Sequence, residues 1–239
     1  MTGTILNGAA ILIGGVVGLT VSKQLSITHQ KALKVFLGAF TVWVGLSTTW
    51  SALNGSFFQI SKQFTIVVLA LMLGKLAGRF LRLQQSLNHL GQYAKQRFAR
   101  ATPNSSHRVS EGFITCTLLF CVGPMAILGS VQDGLTGNFK TLAIKSMMDG
   151  LATMAFVTTF GWGVILSVVP VVAYQGTITL AAQSLSPVLQ NQALLDSVNA
   201  TGGMLVFCIA LIILELKRIE LADYLPSLVV APVLTWVWR

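Results

Sequence analysis

Charge is what this sequence has least of. Only 10% of its 239 residues are Asp, Glu, Lys or Arg, while 54% are apolar and the mean hydropathy is +0.74. An ordinary soluble domain carries roughly 25% charged residues, and a soluble fold of this length cannot hide so much apolar surface behind so few charges. The shortage excludes a cytosolic enzyme, a secreted disulfide scaffold and a disordered chain. It predicts an integral membrane protein.

Reactive side chains are scarce as well. Cys116, Cys121 and Cys208 lie in apolar runs, odd in number and without CxxC spacing, which argues against a disulfide framework or a zinc site. They read as small core residues. The three histidines, His29, His89 and His107, fall in polar segments away from any span centre. Asp133-Gly134 and Asp149-Gly150 lack the GxGD context of intramembrane aspartyl proteases, and no GxSG, phosphate-cradling or metal-ligand motif occurs. The expectation is no enzyme, no catalytic residue, no metal site and no cofactor. A basic leader and an A-x-A exit are also missing around the first apolar run, so that run should remain as a span.

What the chain does have is a series of apolar runs near the length of about twenty residues that a bilayer crossing needs. They predict an all-α polytopic membrane protein of about eight transmembrane helices in one membrane domain, 1–239. The spans fall at about 4–21, 35–53, 64–81, 113–131, 142–160, 163–182, 201–216 and 225–238. Sixteen basic residues against seven acidic give +9. That excess needs no nucleic acid, because it follows the positive-inside rule. Lys23, Lys31 and Lys34, then Arg82, Lys95, Arg97, Arg100 and Arg108, then Lys217 and Arg218 share one side. The other side receives Lys62, Lys140 and Arg239. Both termini are therefore predicted outside.

The polar segment 82–108 places Leu83, Leu87, Leu90, Ala94 and Phe98 near helical spacing among basic residues. It reads as an amphipathic helix on the cytoplasmic face, followed by a flexible Thr-Pro-Asn-Ser-Ser stretch. A faint repeat joins Gly3-Thr-Ile-Leu6 to Gly163-Val-Ile-Leu166, and Leu25-Ser26 to Leu185-Ser186, at an offset of 160. Spans one to three would then recur, inverted, as spans six to eight.

Candidate chemistry concentrates from Glu111 to Gly150. Gly123-Pro124 falls inside span four, where proline removes a donor and breaks the helix. Such breaks are tolerated at membrane depth only when buried in protein or lining a wet cavity. Gln132 and Asp133 close that span, before an outer turn at Thr136-Gly137-Asn138. Lys145 and Asp149 lie four apart on one face of span five. Ionisable groups there cost about 2.5–3.5 kcal/mol each at the membrane centre. A mutual ion pair would relieve that cost without transport, and a binding or proton-coupling role competes with that reading. Span six adds Pro170, Tyr174 and Gln175, with a second distortion expected at the proline. Asn7 in span one and Asn199 before span seven offer further amides. Small residues recur every four positions at Ala10, Gly14 and Gly18 and at Ala70, Gly74 and Gly78. These faces pack spans within one chain or join two copies into a homodimer.

Asn7 with the Gly14-Gly15 pair, LFCVGPMAILGSVQDGLTGN at Leu119–Asn138, KSMMDG at Lys145–Gly150, Gly202-Gly203 and Leu225-Pro226 together resemble the YqgA/YdfK-type prokaryotic membrane proteins, domain of unknown function 554. The resemblance covers essentially the whole chain and implies a bacterial cytoplasmic-membrane protein. It carries over no functional residue. From the residues themselves the leading expectation is secondary transport of a small solute with an H⁺ or Na⁺ coupling ion. Asn7, Gly123, Pro124, Gln132, Asp133, Lys145, Asp149, Tyr174 and Gln175 would line the path. A passive pore and a structural or sensory subunit are the alternatives. The expected partners are the lipid bilayer, the solute or ion, and a second copy.

Overall fold

The computed structural model describes residues 1–20, 27–100, 108–121, 123–185 and 191–238. The expected Thr-Pro-Asn-Ser-Ser flexibility and the Leu25-Ser26/Leu185-Ser186 match lie wholly or partly outside these residues. Every regular element among the described residues is a helix, and none is a strand. The helices are α1 (Thr2–Thr20), α2 (Ile27–Ser51), α3 (Phe57–Phe80), α4 (Leu83–Arg100), α5 (Arg108–Cys121), α6 (Pro124–Thr136), α7 (Lys140–Phe160), α8 (Val168–Leu185), α9 (Gln192–Ile213) and α10 (Ser227–Val237). Short 3₁₀ segments precede α8 (Gly161–Ser167) and α10 (Leu221–Tyr224).

Among the described residues, four stretches are long and apolar enough to cross a membrane: Thr2–Thr20, Phe57–Phe80, Lys140–Leu185 and Gln192–Ile213. They become five when Gly112–Cys121 and Met125–Thr136, bent by 60°, count as one crossing. Val35–Ser51 and Leu221–Val237 are shorter apolar helices. Phe57 and Phe80 stand 89% and 87% exposed, which suits a surface turned to hydrocarbon.

Helix boundaries depart from the hydropathy-based expectation where polar residues occupy a first turn. Helix α3 starts at Phe57, not 64, because Ser56 and Gln59 form a capping box that tolerates the polar residues after it. Helix α9 starts at Gln192, not 201, with the Asn191 side chain accepting from Ala193 N–H. Asn199 therefore lies inside this helix, not before it. Gln132 and Asp133 sit within α6, which continues to Thr136 before the αL residue Gly137, φ 69°. Pro170 does not distort α8. It occupies the first turn, where its missing N–H is no loss, and the irregularity is the 3₁₀ segment before it.

Contact registers give the directions of the helices. Gly3 packs on Leu142, Gly14 on the Gly150 carbonyl and Gly18 on the Met154 carbonyl, so α1 and α7 run parallel. Thr4 meets Thr179, Gly8 meets Val172 and Gly15 meets Ile165, so α8 runs antiparallel to α1. The 46 residues Lys140–Leu185 consequently fold back on themselves. The turn is Gly161, whose φ of 75° and ψ of −165° suit glycine alone. Helices α5 and α6 both accompany α8 in its own direction. Gly163 meets Val109, the Cys121 thiol reaches the Pro170 carbonyl, and Gly134 meets Thr179. The bent pair therefore continues as one run and does not turn back.

Elsewhere α2 and α9 are antiparallel, with Gly38 on Leu214, Gly45 on Phe207 and Gly203, and Thr49 on Ala200. Helices α3 and α10 are antiparallel as well, through Gly74 on Ser227 and Gly78 on Asp223. Both small-residue faces are thus used inside one chain, which leaves the expected homodimer without those two surfaces. Two of the three apolar clusters among the described residues are the larger ones. Ile11, Cys116, Phe120, Val157 and Val171 form one, and Val44, Leu128, Ile144, Leu205 and Ile209 form the other.

Candidate functional site

Helix α1 buries one strip of small and polar residues, and the polar members set the site. Asn7 Nδ2 donates to Asp149 Oδ2 at 3.0 Å and to Gln175 Oε1 at 3.2 Å. Lys145 Nζ forms an ion pair with the same Asp149 oxygen, one turn away on α7. Three helices therefore meet at one buried network. Lys145 and Asp149 are only 6% and 7% exposed, and Asn7 and Gln175 are fully buried. Counted from Lys140, Asp149 lies about 13 Å along α7, near the middle of a helix about 31 Å long.

Each amide keeps one atom unpartnered, Asn7 Oδ1 and Gln175 Nε2. A buried polar atom left unpaired costs about 1–3 kcal/mol. The network thus presents an acceptor and a donor beside a carboxylate, a set able to receive a polar group or ion.

The helix break adjoins this network. Helix α5 ends at Cys121 and α6 begins with Pro124 at its first position. Gly123 between them is extended, donating its N–H to the Cys121 carbonyl and accepting from Ala126 N–H, each at 3.1 Å. A Cβ built on Gly123 would meet no atom within 4 Å, so open space flanks the break. Lys145 Nζ stands 5.9 Å from the centroid of the Phe120 ring, beside the last turn of α5. A helix C-terminus carries unpaired carbonyls and partial negative charge, so a cation is favoured there.

The other expected residues do separate work. Asp133 Oδ2 accepts from Gly3 N–H at 3.0 Å and lies 3.1 Å from the Met1 amino group. It caps the first turn of α1, whose N–H groups have no partner within the helix. Gln132 Oε1 accepts from Thr141 Oγ1 at 2.6 Å, while its Nε2 lies 2.2 Å from where a Cβ on Gly202 would be. That contact explains a glycine on α9. Tyr174 is half-buried and is not a partner of Asn7, Asp149 or Gln175.

Thr4 and Thr179, absent from the sequence-based candidates, approach to 3.4 Å between the Asp133 cap and Asn7. They complete a polar column along α1 from its first turn to the ion pair. The signal was present: Thr4 precedes Asn7 by three residues, on the same helical strip. Its partner was not, because Thr179 is 175 positions away.

The family described as "Protein of unknown function (DUF554)" matches residues 2–236, and the chain belongs to it. The chain is 29% identical over 237 residues to the "Uncharacterized membrane protein YdfK" of Bacillus subtilis (strain 168), covering 99% of this chain and 96% of that protein. It is 26% identical over 237 residues to the "Uncharacterized protein YqgA" of Escherichia coli (strain K12), covering 99% and 97%. No solved structure is a significant match. The chain is thus a helical membrane protein of this family.

Proposed function

We propose that this DUF554 member is a secondary transporter of a small solute in the bacterial cytoplasmic membrane. Its coupling ion is H⁺ or Na⁺, and Asp149 is the group that receives it. The observation that carries this reading is the network of Asn7, Lys145, Asp149 and Gln175, which ties three helices together beside a helix break. A proton or Na⁺ at Asp149 neutralises the carboxylate, which releases the Lys145 ammonium on the same helix and weakens the Asn7 contact that ties α1 to α7. Helices α1 and α7 are then freer to shift, which is how a local charge change becomes a conformational one. The unpartnered Asn7 and Gln175 atoms supply further contacts for the passing group.

We further infer eight crossings arranged as two inverted halves, with both termini outside. The folding back at Gly161 supports this count by making two crossings of Lys140–Leu185. The antiparallel pairs α1–α8, α2–α9 and α3–α10 support the inversion. So does the parallel packing of α1 on α7, matched by α8 on the α5–α6 run. Gly3 packs at the start of α7 and Gly163, its equivalent at the offset of 160, packs at the start of α5. An inverted pair places its site at the junction of the halves, which is where Asn7 and Gln175 meet.

The deciding experiment is flux in proteoliposomes under imposed H⁺ and Na⁺ gradients, comparing the native chain with Asp149→Asn. Loss of coupled flux in the variant is the expected result. Equal flux in both removes Asp149 from the mechanism. A structural subunit without transport is the second reading, favoured by the mutual neutralisation of Lys145 and Asp149. Absence of flux under any gradient, with the chain folded, would establish it over the first.

A further inference from the structure

A second polar feature lies far from the Asp149 network, where α3 ends and α10 begins. A groove of about 980 Å³ opens there between α3, the start of α4, the end of α9 and the segment after it. Its floor is apolar, built from Leu71 and Met72 on α3 and Leu211 on α9. Its rim carries three cations, Lys75, Lys217 and Arg218, against one carboxylate, Glu220. The rim is held in place. Gln84 N–H donates to Asp223 Oδ1 at 2.9 Å, Gln84 Oε1 accepts from Ala222 N–H at 3.0 Å, and Lys75 Nζ stands 5.2 Å over the Tyr224 ring.

Depth decides what such a groove fits. Lys75 lies five residues before the end of α3, about 7 Å inside it. Taking α3 as a crossing, a cation at that distance from the helix end reaches the headgroup level, and Leu71 and Met72, about one turn further in, face the start of the hydrocarbon. Free phosphate would find the cations but would leave the apolar floor unused. A zwitterionic headgroup would add its own cation to three already present.

We propose that this groove is a binding site for one anionic diacyl phospholipid, its phosphate against Lys217, Arg218 and Lys75 and its acyl chains along Leu71, Met72 and Leu211. Basic pockets between membrane helices on the cytoplasmic side hold anionic headgroups by this chemistry. The positive-inside reading of the sequence, in which Lys217 and Arg218 themselves take part, puts this face on the cytoplasmic side, and the proposal rests on that reading.

The test is native mass spectrometry of the purified full chain in detergent, titrated with phosphatidylglycerol, with phosphatidylcholine and with inorganic phosphate. The expected result is selective retention of one phosphatidylglycerol. Retention should weaken about thirtyfold in the Lys217→Gln/Arg218→Gln double variant, the weight of two cations near a membrane surface. The charge-conserving Lys217→Arg/Arg218→Lys variant should retain the lipid. Equal retention of phosphatidylcholine overturns the proposal, as does full displacement by inorganic phosphate. Unchanged retention in the Gln variant also overturns it. Should that variant not fold, the comparison of lipids on the native chain still decides.

Discussion

Helices α1 and α7 approach as closely as α2 and α9, yet the two interfaces are made of different things. A Cβ on Gly14 would lie 2.1 Å from the Gly150 carbonyl oxygen, and one on Gly45 would lie 2.6 Å from the Phe207 nitrogen. In the second interface the accompanying polar group is a hydroxyl, Thr49, which donates to the carbonyls of Gly45 and Ala200. In the first they are an ammonium, a carboxylate and an amide. The close approach of α2 and α9 is thus made with glycine and a hydroxyl. The ionisable pair at α1–α7 is more than packing demands, which is the physical ground for placing function there.

Four measurements break or sharpen this contrast. The largest effect belongs to Asp149→Ala, which strands the Lys145 ammonium in a buried site. A loss of about 3–5 kcal/mol is expected, read as a fall in the thermal unfolding midpoint in detergent. Replacing both partners, Lys145→Met with Asp149→Leu, should restore most of the stability but not the flux. A single variant as mild as Thr49→Val would erase the contrast.

Next come Gly14→Val and Gly45→Val, each forcing a side chain into a neighbouring backbone. Each should cost about 1–3 kcal/mol by overpacking, by the same midpoint assay. The two should be alike, since glycine does the same work in both interfaces. A large difference between them would show that the charged network also governs packing.

Asp133→Asn comes third. It keeps an acceptor for Gly3 N–H but removes the charge facing the α1 N-terminus, worth about 0.3–1 kcal/mol. Hydrogen exchange at the first turn of α1 should rise while the rest of the helix is unchanged. The smallest effect is expected for Thr49→Val, about 0.6 kcal/mol for one hydroxyl contact between membrane helices. Its unfolding midpoint should be nearly that of the native chain, and a larger fall would mean that the α2–α9 interface is more polar in its energetics than in its composition.

Much of the site was legible where the cause is local. Gly123-Pro124 announces a break because proline cannot donate, and the break is there. Lys145 and Asp149 announce a shared face because one turn separates them, and they pair. Asn7 and Gln175 were identifiable as amides in apolar runs. Their connection was not, because it joins positions 168 apart. Asp133 was identifiable as a carboxylate in an apolar run, while its contact with the first turn of α1 was not, because the donor lies 130 positions away. The helices that carry the expected spans 64–81 and 201–216 begin earlier, at Phe57 and Gln192, because polar side chains that cap or fill a first turn carry no apolar signal.

The sequence by itself determined that the chain is helical and lies in a membrane, and where its charges and breaks fall along each helix. Those properties follow from transfer free energy and from spacing within one or two turns. Only the tertiary structure decided which faces meet, that Lys140–Leu185 doubles back, and that one carboxylate closes the network while another caps a helix. Those choices rest on hydrogen bonds and backbone contacts between distant segments, whose partners no local pattern specifies.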